Sequence, residues 1–180
     1  MAERLVPYEL GQTAASGELE GLLGYRGTFE DVDRTATGVK PKNSGMTVIA
    51  QWVKNESGGA LLPGAPVNWD TGGTYGPGQA VAGNAADPER KCAGIVDPDI
   101  PVAGVADNDH FWLIKSGPTR VRYDGSANFI VADEFKSDGS GNVDEWVSGT
   151  DDENERLGFV IEAKAAGSAG DLFKVLLQIA

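Results

Sequence analysis

The chain has 180 residues, 25 of them glycine, with 15 basic and 27 acidic side chains and a formal net charge of −12. That balance argues against a general binder of nucleic acid or of an anionic membrane, because either needs a basic face. Its one cysteine, Cys92, excludes an intrachain disulfide and a cysteine-built zinc site, and its one histidine, His110, excludes a histidine-rich metal centre.

Glycine stands at about twice its ordinary share of ~7%. The glycines follow no G-X-Y period, so collagen is excluded and tight turns between short strands are the economical reading. The first ten residues lack the apolar core of a signal peptide, and no apolar run approaches the ~20 residues that span a bilayer. No export signal and no membrane span are expected.

Residues 1–45 are rich in Gly, Thr, Glu and Asp. Gly17, Gly21, Gly24 and Gly27 argue against a long helix there. The segment reads as an extended N-terminal arm, ordered mainly by contact with a partner. Its apolar residues Leu5, Val6, Tyr8, Leu22, Leu23, Tyr25 and Phe29 are the expected contacts.

From residue 46 onward the pattern is β. Residues 46–54 are dense in β-branched and aromatic side chains, with Val48, Ala50 and Trp52 set against Thr47 and Gln51 in partial alternation. Residues 55–59 turn the chain. Pro63 and Pro66 demote 60–69 to an edge strand or two short pieces, and 70–78 is a loop. A small unit of glycine followed by apolar residues recurs at 93–96, 103–106 and 157–160. Residues 110–115 form the strongest strand, and Ser116-Gly117-Pro118 is expected to turn it into a second at 119–123, making a hairpin.

Residues 129–135 precede a polar turn at 137–142, in a layout that faintly echoes 61–67. A short strand surrounds Trp146, 151–155 is an acidic loop, and 171–179 is apolar enough for a central strand. About nine short strands at this spacing predict a mainly β fold, a compact β-barrel or sandwich over 46–180 with the arm at 1–45.

No catalytic constellation emerges. His110 lies against Phe111 and Trp112 at a strand start, with no nucleophile elbow to accompany it. Asp97, Asp99, Asp107 and Asp109 form two D-x-D pairs but lack the oxygen spacing of a calcium loop. The glycine clusters at 72–78 do not match a phosphate loop, and among 27 acidic residues no carboxylate pair singles itself out. No cofactor, no metal and no catalytic residue are expected. Trp52, Trp69, Trp112 and Trp146 could stack on sugars or serve as core and interface anchors.

From about residue 60 to the C-terminus, the order of features resembles the small β-barrel capsid decoration (cement) proteins of tailed bacteriophages. The residues that carry the resemblance are Leu61-Leu62-Pro63-Gly64-Ala65-Pro66-Val67, 103–106, Phe111 through Pro118, 129–135, 157–162 and the closing Lys174-Val175-Leu176-Leu177. That family repeats a Gly-Asp "lift-off" turn, and Gly64-Ala65 and Ala132-Asp133 each keep one residue of the pair. The resemblance implies a non-enzymatic virion protein on the outside of a phage head, assembled in the host cytoplasm. It implies the major capsid protein as partner and a homo-oligomer, with a trimer favoured. The competing readings are a tail or fibre module that binds a host carbohydrate through tryptophans such as Trp69, and a secreted β-fold enzyme with a carboxylate pair.

Overall fold

The β-branched and aromatic density at 46–54 becomes the strand Thr47–Asn55, and that at 110–115 opens the longest strand, His110–Arg122. The computed structural model describes residues 9–33, 40–84, 92–126 and 128–179. In chain order its strands are β1 (Thr13–Ala14), β2 (Arg26–Glu30), β3 (Val32–Asp33), β4 (Lys40–Pro41), β5 (Thr47–Asn55), β6 (Pro66–Trp69) and β7 (Ala80–Asn84). They continue with β8 (Cys92–Val96), β9 (His110–Arg122), β10 (Glu134–Ser137), β11 (Val143–Glu145), β12 (Gly158–Val160) and β13 (Leu172–Gln178). Among the described residues the helical pieces are two 3-10 turns, Glu20–Leu22 and Glu153–Glu155.

The strand pairings close on themselves twice. β5 pairs β9, β9 pairs β8, β8 pairs β6 and β6 pairs β7, all antiparallel; β7 then returns to β5 through a parallel pairing at Lys54–Ala80 and Asn55–Val81. The second circuit runs β9, β13, β12, β10, β11, again antiparallel. It closes through a parallel bridge between Tyr123, just past the end of β9, and Val143. A single strand therefore belongs to both circuits. Its first half faces β5 and β8, its second half β13, and the changeover falls at Ser116, which opposes both Ile49 and Gln178.

Each circuit has its own apolar filling. Val53, Val67, Val81, Val96, Phe111 and Leu113 are buried together in the first. Tyr123, Phe129 and Phe173 meet at ring separations of 5.0–5.9 Å in the second, with Phe135, Val143 and Val175 buried in the same cluster. Because successive side chains of a strand point to opposite faces, β5 and β9 carry a second apolar row, which includes Ala50, Trp52, Trp112 and Ile114. Trp52 and Trp112 pack edge to face at 5.1 Å. The N-terminal segment covers this row with Leu19, Leu22, Leu23 and Phe29.

The two circuits are copies of one topological unit. Leu61 and Val105 exchange backbone hydrogen bonds, as do Phe129 and Lys164. Gly64 N–H donates to the Val96 carbonyl and Ala132 N–H to that of Val160; Val96 N–H donates back to Ala65 and Val160 N–H to Asp133. Asn55 and Tyr123 donate to Asp109 and Asp171, and the returning donors are Asn108 and Gly170. Gly64 has φ 76° and Ala132 φ 77°, so the faint sequence echo between 61–67 and 129–135 is one turn built twice.

Several expectations are corrected. Ser116-Gly117-Pro118 does not turn a hairpin; it lies inside β9, with Gly117 at φ 102° and Pro118 opposite Leu176. The strand bends there and changes partners instead of reversing. β6 is no edge strand, since it is flanked by β7 and β8, and Pro66 is tolerated as its first residue. Residues 80–84, assigned to no element from the sequence, are β7; Val105, in the recurrent unit 103–106, makes only an isolated bridge. Residues 26–30, read as part of the arm, pair with β5 from Arg26–Gln51 to Glu30–Thr47, and 13–14 pair with β9. The fold is mainly β throughout.

The two lift-off turns generate opposite expectations for one backbone geometry. A Cβ at Gly64 would lie 2.6 Å from Leu172 Cδ2 and 3.2 Å from the Arg120 carbonyl, so Gly64→Ala should lower stability by about 1–3 kcal/mol. Ala132→Gly relieves a left-handed alanine and should raise stability by about 0.5–1 kcal/mol. Urea unfolding midpoints of the two variants check both signs; a loss in each would contradict the shared geometry.

Candidate functional site

Both D-x-D pairs of the sequence are occupied by the chain's own donors. Asp97 is fully buried, and its carboxylate accepts from the N–H groups of Gly11 (2.5 Å) and Asp99 (3.0 Å). Asp99 forms ion pairs with Lys42 and with Arg120, the latter at 2.6 Å. Asp107 accepts from Gly58 N–H at 2.9 Å and Asp109 from Ser16 N–H at 3.1 Å. The buried Asp31 carboxylate accepts from the N–H groups of Asn43, Ser44 and Gly45. These carboxylates satisfy loop backbone that has no ladder partner, and they tie the N-terminal segment to the first unit. Among the described residues no group of three His, Cys, Asp or Glu side chains could hold a metal ion.

The other reactive groups are buried or half-buried. His110 is buried and stacks at 6.4 Å on Trp52, and its desolvation holds the imidazole below its ordinary pKa, so it stays neutral at pH 7. Burial pushes the Cys92 thiol up to about 11, which leaves little thiolate. Desolvation brings Lys115 down to about 8. Its ammonium donates to the Ala93 carbonyl and stands 4.8 Å over the Trp69 ring, a clip between β8, β9 and β6.

The predicted contact residues divide. Leu5, Val6 and Tyr8 lie outside the described residues. Leu22, Leu23 and Phe29 are half-buried against the chain's own core, Phe29 at 4.9 Å from Trp112. Tyr25 is 50% exposed, next to the edge strand β2, with Met46 just before the neighbouring β5 and Ile49 on it also exposed. Sequence reading missed a second apolar patch. Ile130 and Val131 are 65% and 59% exposed, since they belong to a turn and not to the strand that their β-branched run suggested. The signal for that turn was the Ala132-Asp133 pair directly after them.

No family model matches the chain, and no curated protein sequence matches it. Among solved structures the chain is similar to the N base of the head fibre gp8.5 of bacteriophage phi29, with 14% sequence identity and a TM-score of 0.47. The similarity covers 73% of this chain and 94% of that one.

Asp97 makes the stability depend on pH. Burial pushes its carboxyl from 3.8 up to about 6, so between those values the folded state holds a proton that the unfolded chain has lost. Stability from this group is therefore full below about pH 4 and lost as pH rises through about 6. The difference is on the order of 2–3 kcal/mol. Asp97→Asn should flatten the change in Tm between pH 4 and 6, read by thermal melts across that range; an unchanged slope would assign the titration elsewhere.

Proposed function

We propose that the chain is a non-enzymatic structural protein of a bacteriophage head, a capsid decoration (cement) protein held on the outer surface of the shell. Its partner is the major capsid protein, and it acts as a homo-oligomer, with a trimer favoured. The observation that carries this reading is the pair of lift-off turns. The stretches 61–67 and 129–135, through which the sequence resembles that family, take one backbone geometry at corresponding places in two copies of a unit.

The physics of the surface suits the role. Many copies on a symmetric lattice reinforce one another, so each contact can be small. The net charge of −12 favours solubility at high local concentration and a partner face with basic side chains. The proposed contacts are Leu5, Val6 and Tyr8 at the N-terminus and Tyr25 beside β2. A carbohydrate-reading tail or fibre module would need an open tryptophan face, and at Trp69 one face lies under the Lys115 ammonium.

Purified chain mixed with head shells that lack it should sediment with them and raise their melting temperature. Failure of the chain to bind the shells, or binding without any change in their heat resistance, would sink the reading. Tyr25→Ala should weaken shell binding about 5–10-fold, on the order of 1 kcal/mol, with the unfolding midpoint of the free protein unchanged.

A further inference from the structure

The two units are equivalent in topology but not in what covers them. In the first unit, Pro63, Gly64, Ala65, Pro66 and Ile95 are buried. Their counterparts in the second, Val131, Ala132, Asp133, Glu134 and Phe159, are exposed or half-exposed, whereas Ile130 is exposed as its counterpart Leu62 is, at 65% against 39%. The cover on the first turn comes from the second unit. Arg122 N–H donates to the Gly64 carbonyl at 3.0 Å, the Leu172 side chain lies over Gly64, and Arg120 pairs with Asp99 beside it. The turn is thus seated against two adjacent strands, β9 and β13, that offer an aliphatic side chain, a backbone donor and a guanidinium.

The opposite end of the stack is closed. The first unit's counterparts of Arg120 and Arg122 are Trp52 and Lys54. At Trp52 the N-terminal segment has taken the place, with Gly24 N–H donating to the Trp52 carbonyl at 2.9 Å and Trp52 N–H to that of Tyr25 at 2.8 Å, while Lys54 N–H donates to the Gln79 carbonyl of the first unit itself at 2.9 Å. The order along the stack is cap, first unit, second unit, and an uncovered turn. Terminal caps keep the end faces of a repeat stack from water, and among the described residues one end carries such a cap.

We propose that the turn at Ile130, Val131 and Ala132 is a second docking surface for the shell, at the end of the stack away from Tyr25, and that it receives a strand edge of the major capsid protein bearing an aliphatic side chain. The inference rests on the head-surface reading and adds a face to the contact proposed there. One observation fixes the chemistry of the occupant: the chain's own cover for the equivalent turn is a strand edge with a backbone donor and an aliphatic side chain, Arg122 N–H and Leu172. The carboxylates beside the open turn are already taken, Glu134 by Arg156 and Asp133 by the Ile130 N–H, each at 2.7 Å. A second copy of this chain does not supply such an edge. Its β9–β13 edge is already used on its own first unit, and the corresponding face of that first unit lies under the N-terminal segment.

The test is a double variant, Ile130→Lys with Val131→Lys, which changes two exposed side chains without touching the core. Shell co-sedimentation, sedimentation velocity of the free protein and its melting temperature are measured for wild type and variant. Expected is at least a tenfold loss of shell affinity, with oligomeric state and Tm unchanged. Ile130→Ala with Val131→Ala should give a smaller loss of about threefold. Wild-type-like shell binding by the lysine variant, while the wild type binds, would overturn this inference and leave the head-surface reading standing. Failure of the wild type to bind at all would overturn both. A change in oligomeric state that accompanies lost shell binding would assign the patch to copy–copy contact and also overturn the proposal.

Discussion

One strand belongs to two closed circuits, and this sharing determines most of the architecture. β9 has 13 residues, long for a globular strand, because it must serve the first unit with one half and the second with the other. The changeover at Ser116 needs a residue that can take a positive φ where the Thr47 backbone lies close, and Gly117 supplies it. Pro118, which has no N–H, then sits opposite Leu176 at the bend, a place where the ladder can forgo one donor. Both circuits close by a parallel contact, β5 with β7 and Tyr123 with Val143, so no long edge is left along either ring.

The acidity of the chain has an architectural use as well as a solvent-facing one. Short strands joined by many turns leave backbone N–H groups without ladder partners, and a carboxylate is a strong acceptor for them. Asp31, Asp97, Asp107 and Asp109 each take that role, and Asp97 and Asp109 do so for residues of the N-terminal segment. The segment is therefore fastened by polar clasps at Gly11 and Ser16, by main-chain pairing through β1 and β2, and by apolar packing of Leu22, Leu23 and Phe29. It works as a cap on the outer face of Trp52 and Trp112.

Cap and units give the molecule a direction. One end presents the covered face of the first unit, and the other presents the bare turn of the second. A protein that holds neighbouring subunits together has to offer more than one contact face. A polar stack of repeated units supplies two unlike ends without any further domain. On the head-surface reading, duplication of a small unit both enlarges the core and sets one turn free for contact.

The sequence by itself determined the mainly β character, the places of the strongest strands and the lack of a histidine or cysteine constellation, because these follow from composition and from local alternation of side chains. It placed 46–54, 110–115 and 171–179 as strands for that reason. It also contained the echo of 61–67 in 129–135, too degenerate to be read as a repeat, since the shared feature is a left-handed φ that Gly64 takes easily and Ala132 takes under strain. Only the tertiary structure decided that Ser116-Gly117-Pro118 bends a strand instead of reversing it. A glycine–proline pair serves either purpose, and the choice falls to the partners on each side, Ile49 and Gln178, which come from distant parts of the chain. The N-terminal segment is the same kind of case. Its glycines and scattered apolar residues suited an arm, and the apolar row of Trp52 and Trp112 that makes Phe29 and Leu22 a cap comes into being only when β5 and β9 lie side by side. The bare turn at Val131 and Ala132 follows likewise from position, because among the described residues no neighbour covers the second unit's turn as β9 and β13 cover the first.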